Sequence, residues 1–178
     1  MLIKRDDCCL LVIDVQARLL PAAYDPTGVA QCCRSLIEAA HATGVPVLAT
    51  EHYPQGIGHI ADPLAPLIDP DNILEKIHFS CFSETSARRR IRATGKGTLV
   101  VAGMEAHVCL GQTALDLVDA GYRVIVSADG TASRRRLDHE TALYRLEQAG
   151  AQVATTADIV DAWQAEDAAG PLDLERMQ

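Results

Sequence analysis

Three side chains in this chain are of the types that together break a carbonyl–heteroatom bond. They are Asp14 in LLVIDVQ, Lys76 in NILEKIHFSCF and Cys109 in GMEAHVCLGQTALDL. A free thiol has a pKa of about 8.5, so only about 3% is thiolate at neutral pH. A nearby ammonium and the positive end of a helix both favour the anion. A fall of about two units, or ~2.7 kcal/mol, makes it mostly thiolate. A carboxylate within reach can take the thiol proton and return it to a leaving amine. Backbone N–H groups in the loop before Cys109 can hold an oxyanion. Each residue also has a plainer reading: Asp14 as a cap, Lys76 as a solvated strand end, and Cys109 as a core thiol.

Other candidates are weaker. Cys81, between Ser80 and Phe82, is the rival thiol. His107 lies two residues before Cys109, a separation that points helical side chains apart. Glu51, His52 and His59 can be drawn as an improvised metal site or as loop residues on a pocket rim; we expect no metal. Cysteines at 8, 9, 32, 33, 81 and 109 contain no C-x-x-C and do not spell a disulfide framework. GIGHIA at 56–61 does not open directly from a strand, and GKGT at 95–98 precedes one, so neither reads as a phosphate loop. The arginines at 88–90 and 134–136 read as solvated faces; anion binding by Arg134 is the sharper alternative.

Apolar runs that can carry these residues alternate with amphipathic stretches. Cys8–Asp14, Val45–Thr50, Asn72–Lys76, Gly97–Ala102, Arg123–Ser127 and Gln152–Thr155 read as six strands. Val29–Thr43, Glu84–Thr94, Ala106–Ala120, Asp138–Ala149 and Asp158–Gln164 read as helices, with a long Pro- and Gly-rich loop over 51–71. This alternation predicts an α/β fold: a three-layer α/β/α, Rossmann-like, with a six-stranded parallel sheet. Ligands then sit beyond the carboxyl ends of the strands, where the strand order reverses. Asp14 and Lys76 close strands, and Cys109 follows one by a short loop.

The 178 residues read as one domain, 1–178, with a polar tail at 165–178 available for oligomer contacts. Acidic residues outnumber basic ones by 24 to 16 and aromatics are only 4%, which argues against nucleic-acid binding. No stretch approaches the ~20 apolar residues of a membrane span. The N-terminal run is interrupted by Asp6, Asp7 and Asp14, unlike a signal peptide, so a cytoplasmic location with reduced thiols is expected.

LLVIDVQ, the K-x-x-F-S-x-F of Lys76–Phe82, VVAGMEAHVCLGQTALDL, TEHYPQGIG and YRVIVSADGTASR occur in an order that resembles the isochorismatase-like cysteine hydrolases. The resemblance implies an Asp14–Lys76–Cys109 triad, a cis peptide between Met104 and Glu105, and an oxyanion hole from the Glu105 and Cys109 amides. It implies no cofactor, a small-molecule substrate and a homo-oligomer, with the Trp163 region in subunit contact. Nicotinamidases of the family carry Asp-x-His as metal ligands; this chain has Thr50-Glu51-His52 instead.

The expected activity is hydrolysis of a small amide or related C–N bond through a thioester-type intermediate. Gln16, Glu51, Tyr53, Phe79, Cys81 and Met104 are expected to line the substrate pocket. The alternatives are an isochorismatase-type vinyl-ether hydrolase, which needs no thiol, and a catalytically inert oligomeric binding protein of the same fold.

Overall fold

Six consecutive apolar residues, Cys8–Ile13, leave no face for water. In the computed structural model of the chain, which describes residues 3–168, they form strand β1 with all six side chains buried. Such a run suits a parallel strand covered on both sides. Helix α1 (Pro26–Thr43) follows. Asp25 caps it by accepting from the Gly28 N–H at 2.9 Å, and Gly44 ends it at φ 73°. The expected start at Val29 missed this first turn, although an Asp-Pro pair is a recognised opening signal.

The chain continues through β2 (Val47–His52), the short helix α2 (Pro54–Ile57), β3 (Ile73–Lys76) and α3 (Thr85–Ala93). Then come β4 (Thr98–Met104), α4 (Cys109–Asp119), β5 (Arg123–Ala132), α5 (Arg136–Gln148), β6 (Gln152–Ala154) and α6 (Thr156–Ala168). The strands lie in the order β3-β2-β1-β4-β5-β6, every neighbouring pair parallel. Helices α1 and α6 cover one face of the sheet, and α3, α4 and α5 the other. This is the predicted three-layer architecture. Its order reverses between β1 and β4.

Three local departures bear on the site. β2 lies two residues further along than predicted, which places Glu51 and His52 on the strand. β5 does not stop at Ser127: a register shift opposite Val101–Gly103 absorbs the Asp129-Gly130 turn signal, and pairing resumes to Ala132. Helix α4 starts at Cys109 rather than Ala106, because the Ala106 N–H is drawn to the Ala132 carbonyl at 2.9 Å. A fourth departure concerns assembly. Trp163 is fully buried in the apolar layer that joins α6 to α1, so its side chain serves the core rather than a subunit contact. From residue 169 the tail lies outside the described residues.

Four buried thiols tie the fold to pH. Burial is the main cause that pushes Cys9, Cys81 and Cys109 up from 9.0 to about 12, and Cys33 higher still. The unfolded chain releases these protons from about pH 9, and the folded one retains them. The unfolded state therefore binds fewer protons, and stability falls as pH rises between about 9 and 12, by about 1.4 kcal/mol per pH unit per thiol. Urea unfolding under reducing conditions should lose roughly 5 kcal/mol from these four groups between about pH 8 and about pH 10. Cys33→Ala should lessen that loss by about a quarter.

Candidate active site

Asp14 directly follows β1 with φ +49°. A non-glycine residue in this left-handed region costs about 1–3 kcal/mol. The neighbouring strand holds it there. The Asp14 N–H donates to the Thr50 carbonyl at 3.2 Å and to Thr50 Oγ1 at 3.3 Å. Thr50 Oγ1 in turn donates to Asp14 Oδ1 at 2.6 Å. The other carboxylate oxygen accepts from Lys76 Nζ at 2.7 Å, and both side chains are wholly buried. Lys76 closes β3, two strands away, and also donates to the His78 carbonyl at 3.3 Å. On the other side of β1, a Cβ at Gly103 would lie 2.1 Å from the Ile13 carbonyl oxygen. Glycine is what lets β4 approach the strand end that carries Asp14.

β4 delivers the thiol. The Met104–Glu105 peptide is cis, and the Glu105 carbonyl accepts from the Val108 and Leu110 N–H groups at 2.9 and 3.2 Å. A Cβ at Gly111 would lie 2.7 Å from the Ala106 carbonyl, so this glycine lets α4 sit close against the loop. Cys109 is thus the first residue of α4, where helix N–H groups lack intrahelical partners. Among the described residues, neither the Glu105 nor the Cys109 amide has an acceptor. Cys109 is 6% exposed, and its thiol lies close enough to both Asp14 and Lys76 to feel their charges. Residues 14, 76 and 109 therefore meet at the seam where strand order reverses.

The charge state differs from the sequence expectation. The Cys109 thiol is pushed up to about 12, first by burial and then by the Asp14 carboxylate; Lys76 opposes this without offsetting it. The ammonium is already paired with Asp14, so its field at the sulfur is largely cancelled. Cys109 rests as a neutral thiol, not the thiolate that a free ammonium and a helix end would favour.

The expected pocket residues separate. Phe79, 56% exposed, lines an open groove of about 570 Å³ with Glu105, His107, Val108 and Arg134. Tyr53 lines a different hollow, beside Glu75, Ile77 and Glu84. Gln16 has no free polar group: its amide nitrogen donates to the His52 and Gly58 carbonyls, and its oxygen accepts from the His52 N–H at 2.8 Å. Met104 packs in the buried layer on the α1 side, away from Cys109. Cys81 is sealed in the opposite layer, its N–H bonded to Thr113 Oγ1 at 3.1 Å. Glu51 faces the 59–60 loop, accepting from Ile60 N–H at 2.6 Å and meeting His59 Nδ1 at 3.0 Å.

Strand alternation explains the error at Glu51. Thr50 and His52 share one face of β2, and Glu51 takes the other. Sequence reasoning gave Thr50 no role, and it offered His52 only as a member of an improvised metal site or as a loop residue on a pocket rim. Thr50 holds Asp14. The His52 ring packs 5.7 Å from the Phe79 ring, and its pKa is lowered by burial and then by Lys76. His52 Nδ1 and Ser80 Oγ are buried without a hydrogen-bond partner. His52 and His59 do not converge on Glu51, and no three His, Cys, Asp or Glu side chains group as a metal-binding set among the described residues.

The comparisons with known proteins identify the family and the fold. The isochorismatase domain family matches residues 8–158. The chain belongs to the isochorismatase family. Isochorismatase domain-containing protein 1 of Danio rerio is 31% identical over 153 residues, 86% of this chain and 52% of that protein. The chain thus spans about half the length of that relative. Among solved structures, MAR1 ribonuclease of Caenorhabditis elegans superposes with a TM-score of 0.86 at 28% identity, over 93% of this chain and 85% of that one. The YcaC gene product of Escherichia coli, described as an octameric hydrolase of unknown specificity, gives a TM-score of 0.86 at 24% identity over the same shares. Isochorismatase-family proteins are generally hydrolases, and this chain has their fold. No helix among the described residues is long and apolar enough to cross a membrane.

The buried pair predicts an asymmetric response to mutation. Lys76→Met leaves the Asp14 carboxylate buried and unpaired and should destabilise the fold by about 3–5 kcal/mol. Adding Asp14→Asn should recover most of that loss. Urea midpoints of the single and double variants measure it.

Proposed function

We propose that this chain is a cysteine hydrolase that cleaves a small amide or a related C–N bond, with Cys109 as nucleophile. One observation carries the reading: a thiol at the start of a helix, within the electrostatic reach of both members of a buried carboxylate–ammonium pair. As the sulfur approaches the substrate carbonyl, its proton passes to Asp14, which avoids a free thiolate in a dry site. The new oxyanion takes hydrogen bonds from the Glu105 and Cys109 amides. Collapse of the tetrahedral intermediate expels the amine, which receives the proton from Asp14. A thioester remains on Cys109. Asp14 then draws a proton from water, hydroxide attacks the thioester, and the acid leaves as the thiol is restored. Lys76 keeps Asp14 oriented throughout, and Asp14 returns its second proton to the departing sulfur.

The nematode neighbour is described as a ribonuclease. Here the excess of 24 acidic over 16 basic residues opposes binding of a polyanion, which supports the small-molecule reading. We further propose a cytoplasmic homo-oligomer, in line with the octamer described for the bacterial neighbour. Sedimentation equilibrium should return a multiple of 19.1 kDa; a single subunit mass overturns this.

Cys109→Ala should abolish turnover of small amides and remove the neutral-electrophile adduct that maps to the peptide containing residue 109, with labelling of Cys32 unchanged. The wild-type labelling rate should show no inflection between about pH 6 and about pH 9, because the thiol titrates above that range. Full activity in the alanine variant overturns the nucleophile. An inflection below about pH 7 would instead indicate a preformed thiolate.

A further inference from the structure

The groove lined by Phe79, Glu105, Val108 and Arg134, adjacent to Cys109 in the chain, carries two arginines that are already matched. Arg134 reaches Glu105 through two contacts, Nε to Oε1 at 3.2 Å and Nη2 to Oε2 at 3.3 Å. Arg135 makes a fork to Asp138, with both N···O distances 2.8 Å. The two members of the Arg134 pair are unequal. The Glu105 side chain is 10% exposed and continues from the peptide that leads to Cys109, whereas Arg134 is 64% exposed. The carboxylate is the fixed partner at the groove floor, and the guanidinium folds over it.

We infer that Glu105 is a specificity-determining residue: by occupying Arg134 at the groove, its carboxylate restricts the site to uncharged substrates. This rests on the cysteine-nucleophile reading and goes beyond it by assigning the charge class. An anionic substrate entering the groove must take Arg134 from Glu105 and leave that carboxylate without its partner, or lie near it unpaired. Either course carries an electrostatic cost. A neutral amide disturbs neither pair and can lay its apolar part against Phe79.

Iodoacetamide and iodoacetate test this, because they share size and leaving group and differ in charge. Their rates at Cys109 are read peptide by peptide by mass spectrometry on the full chain. The same rates in urea divide out intrinsic reactivity. The folded protein should favour iodoacetamide by about tenfold over that reference. Glu105→Gln should raise the iodoacetate rate by about fivefold, and Arg134→Gln should lower it. Glu38→Gln, which removes the same formal charge from an exposed pair on α1, should change neither rate. A preference for iodoacetate, or equal effects of Glu105→Gln and Glu38→Gln, overturns the selector and leaves the nucleophile standing. If neither reagent labels Cys109 while Cys32 is labelled, the nucleophile falls and the selector with it.

Discussion

Two opposite charges with no access to water dominate this structure. Removing a carboxylate and an ammonium from solvent costs several kcal/mol each, and their attraction compensates only when geometry and further hydrogen bonds are good. Asp14 and Lys76 meet that demand at 2.7 Å, with Thr50 on one carboxylate oxygen and the His78 carbonyl on the ammonium. The pairing requires the ends of β1, β2 and β3 to stay in register, so the site and the sheet edge share one constraint. It also sets the sulfur's resting state. A paired ammonium has little field to spare for a third group, and burial then keeps the proton on Cys109.

The thiol arrives by a different route. β4 runs next to β1 across the reversal in strand order, and the two close approaches at Gly103 and Gly111 draw its exit loop inward. The helix that follows begins at Cys109 itself. Strand ends on one side of the seam therefore supply the proton chemistry, and a helix start on the other supplies the sulfur and its adjoining amides. This division of labour is what a parallel sheet offers at such a crevice.

Much of this was legible in the residues. The uninterrupted apolar runs announced strands buried on both faces, and Asp14, Lys76 and Cys109 stood at their ends. The pocket was less legible, for physical reasons. Because β2 runs on to His52, alternation applies to Glu51, and Thr50 and His52 share the acid's side while Glu51 faces the other way. Gln16 resembles a binding residue by type, but the main chain consumes its amide. Met104 ends β4, where alternation turns it into the α1-side layer, and Cys81 opens a 3-10 turn whose N–H is held by Thr113 in the opposite layer. The thiol's protonation state depends on how the ammonium is spent, which no local pattern encodes.

Gln16 ties the chain two residues past Asp14 to the main chain at both His52 and Gly58. That clamp sets a boundary for remodelling. Lengthening the segment between residues 53 and 57 would pull on the same tether that steadies the carboxylate. The stretch from 62 to 69 lies outside the tether, so loops grafted at its exposed positions, away from buried Leu64 and Ile68, would reshape the surroundings while the Asp14–Lys76 pair keeps its alignment.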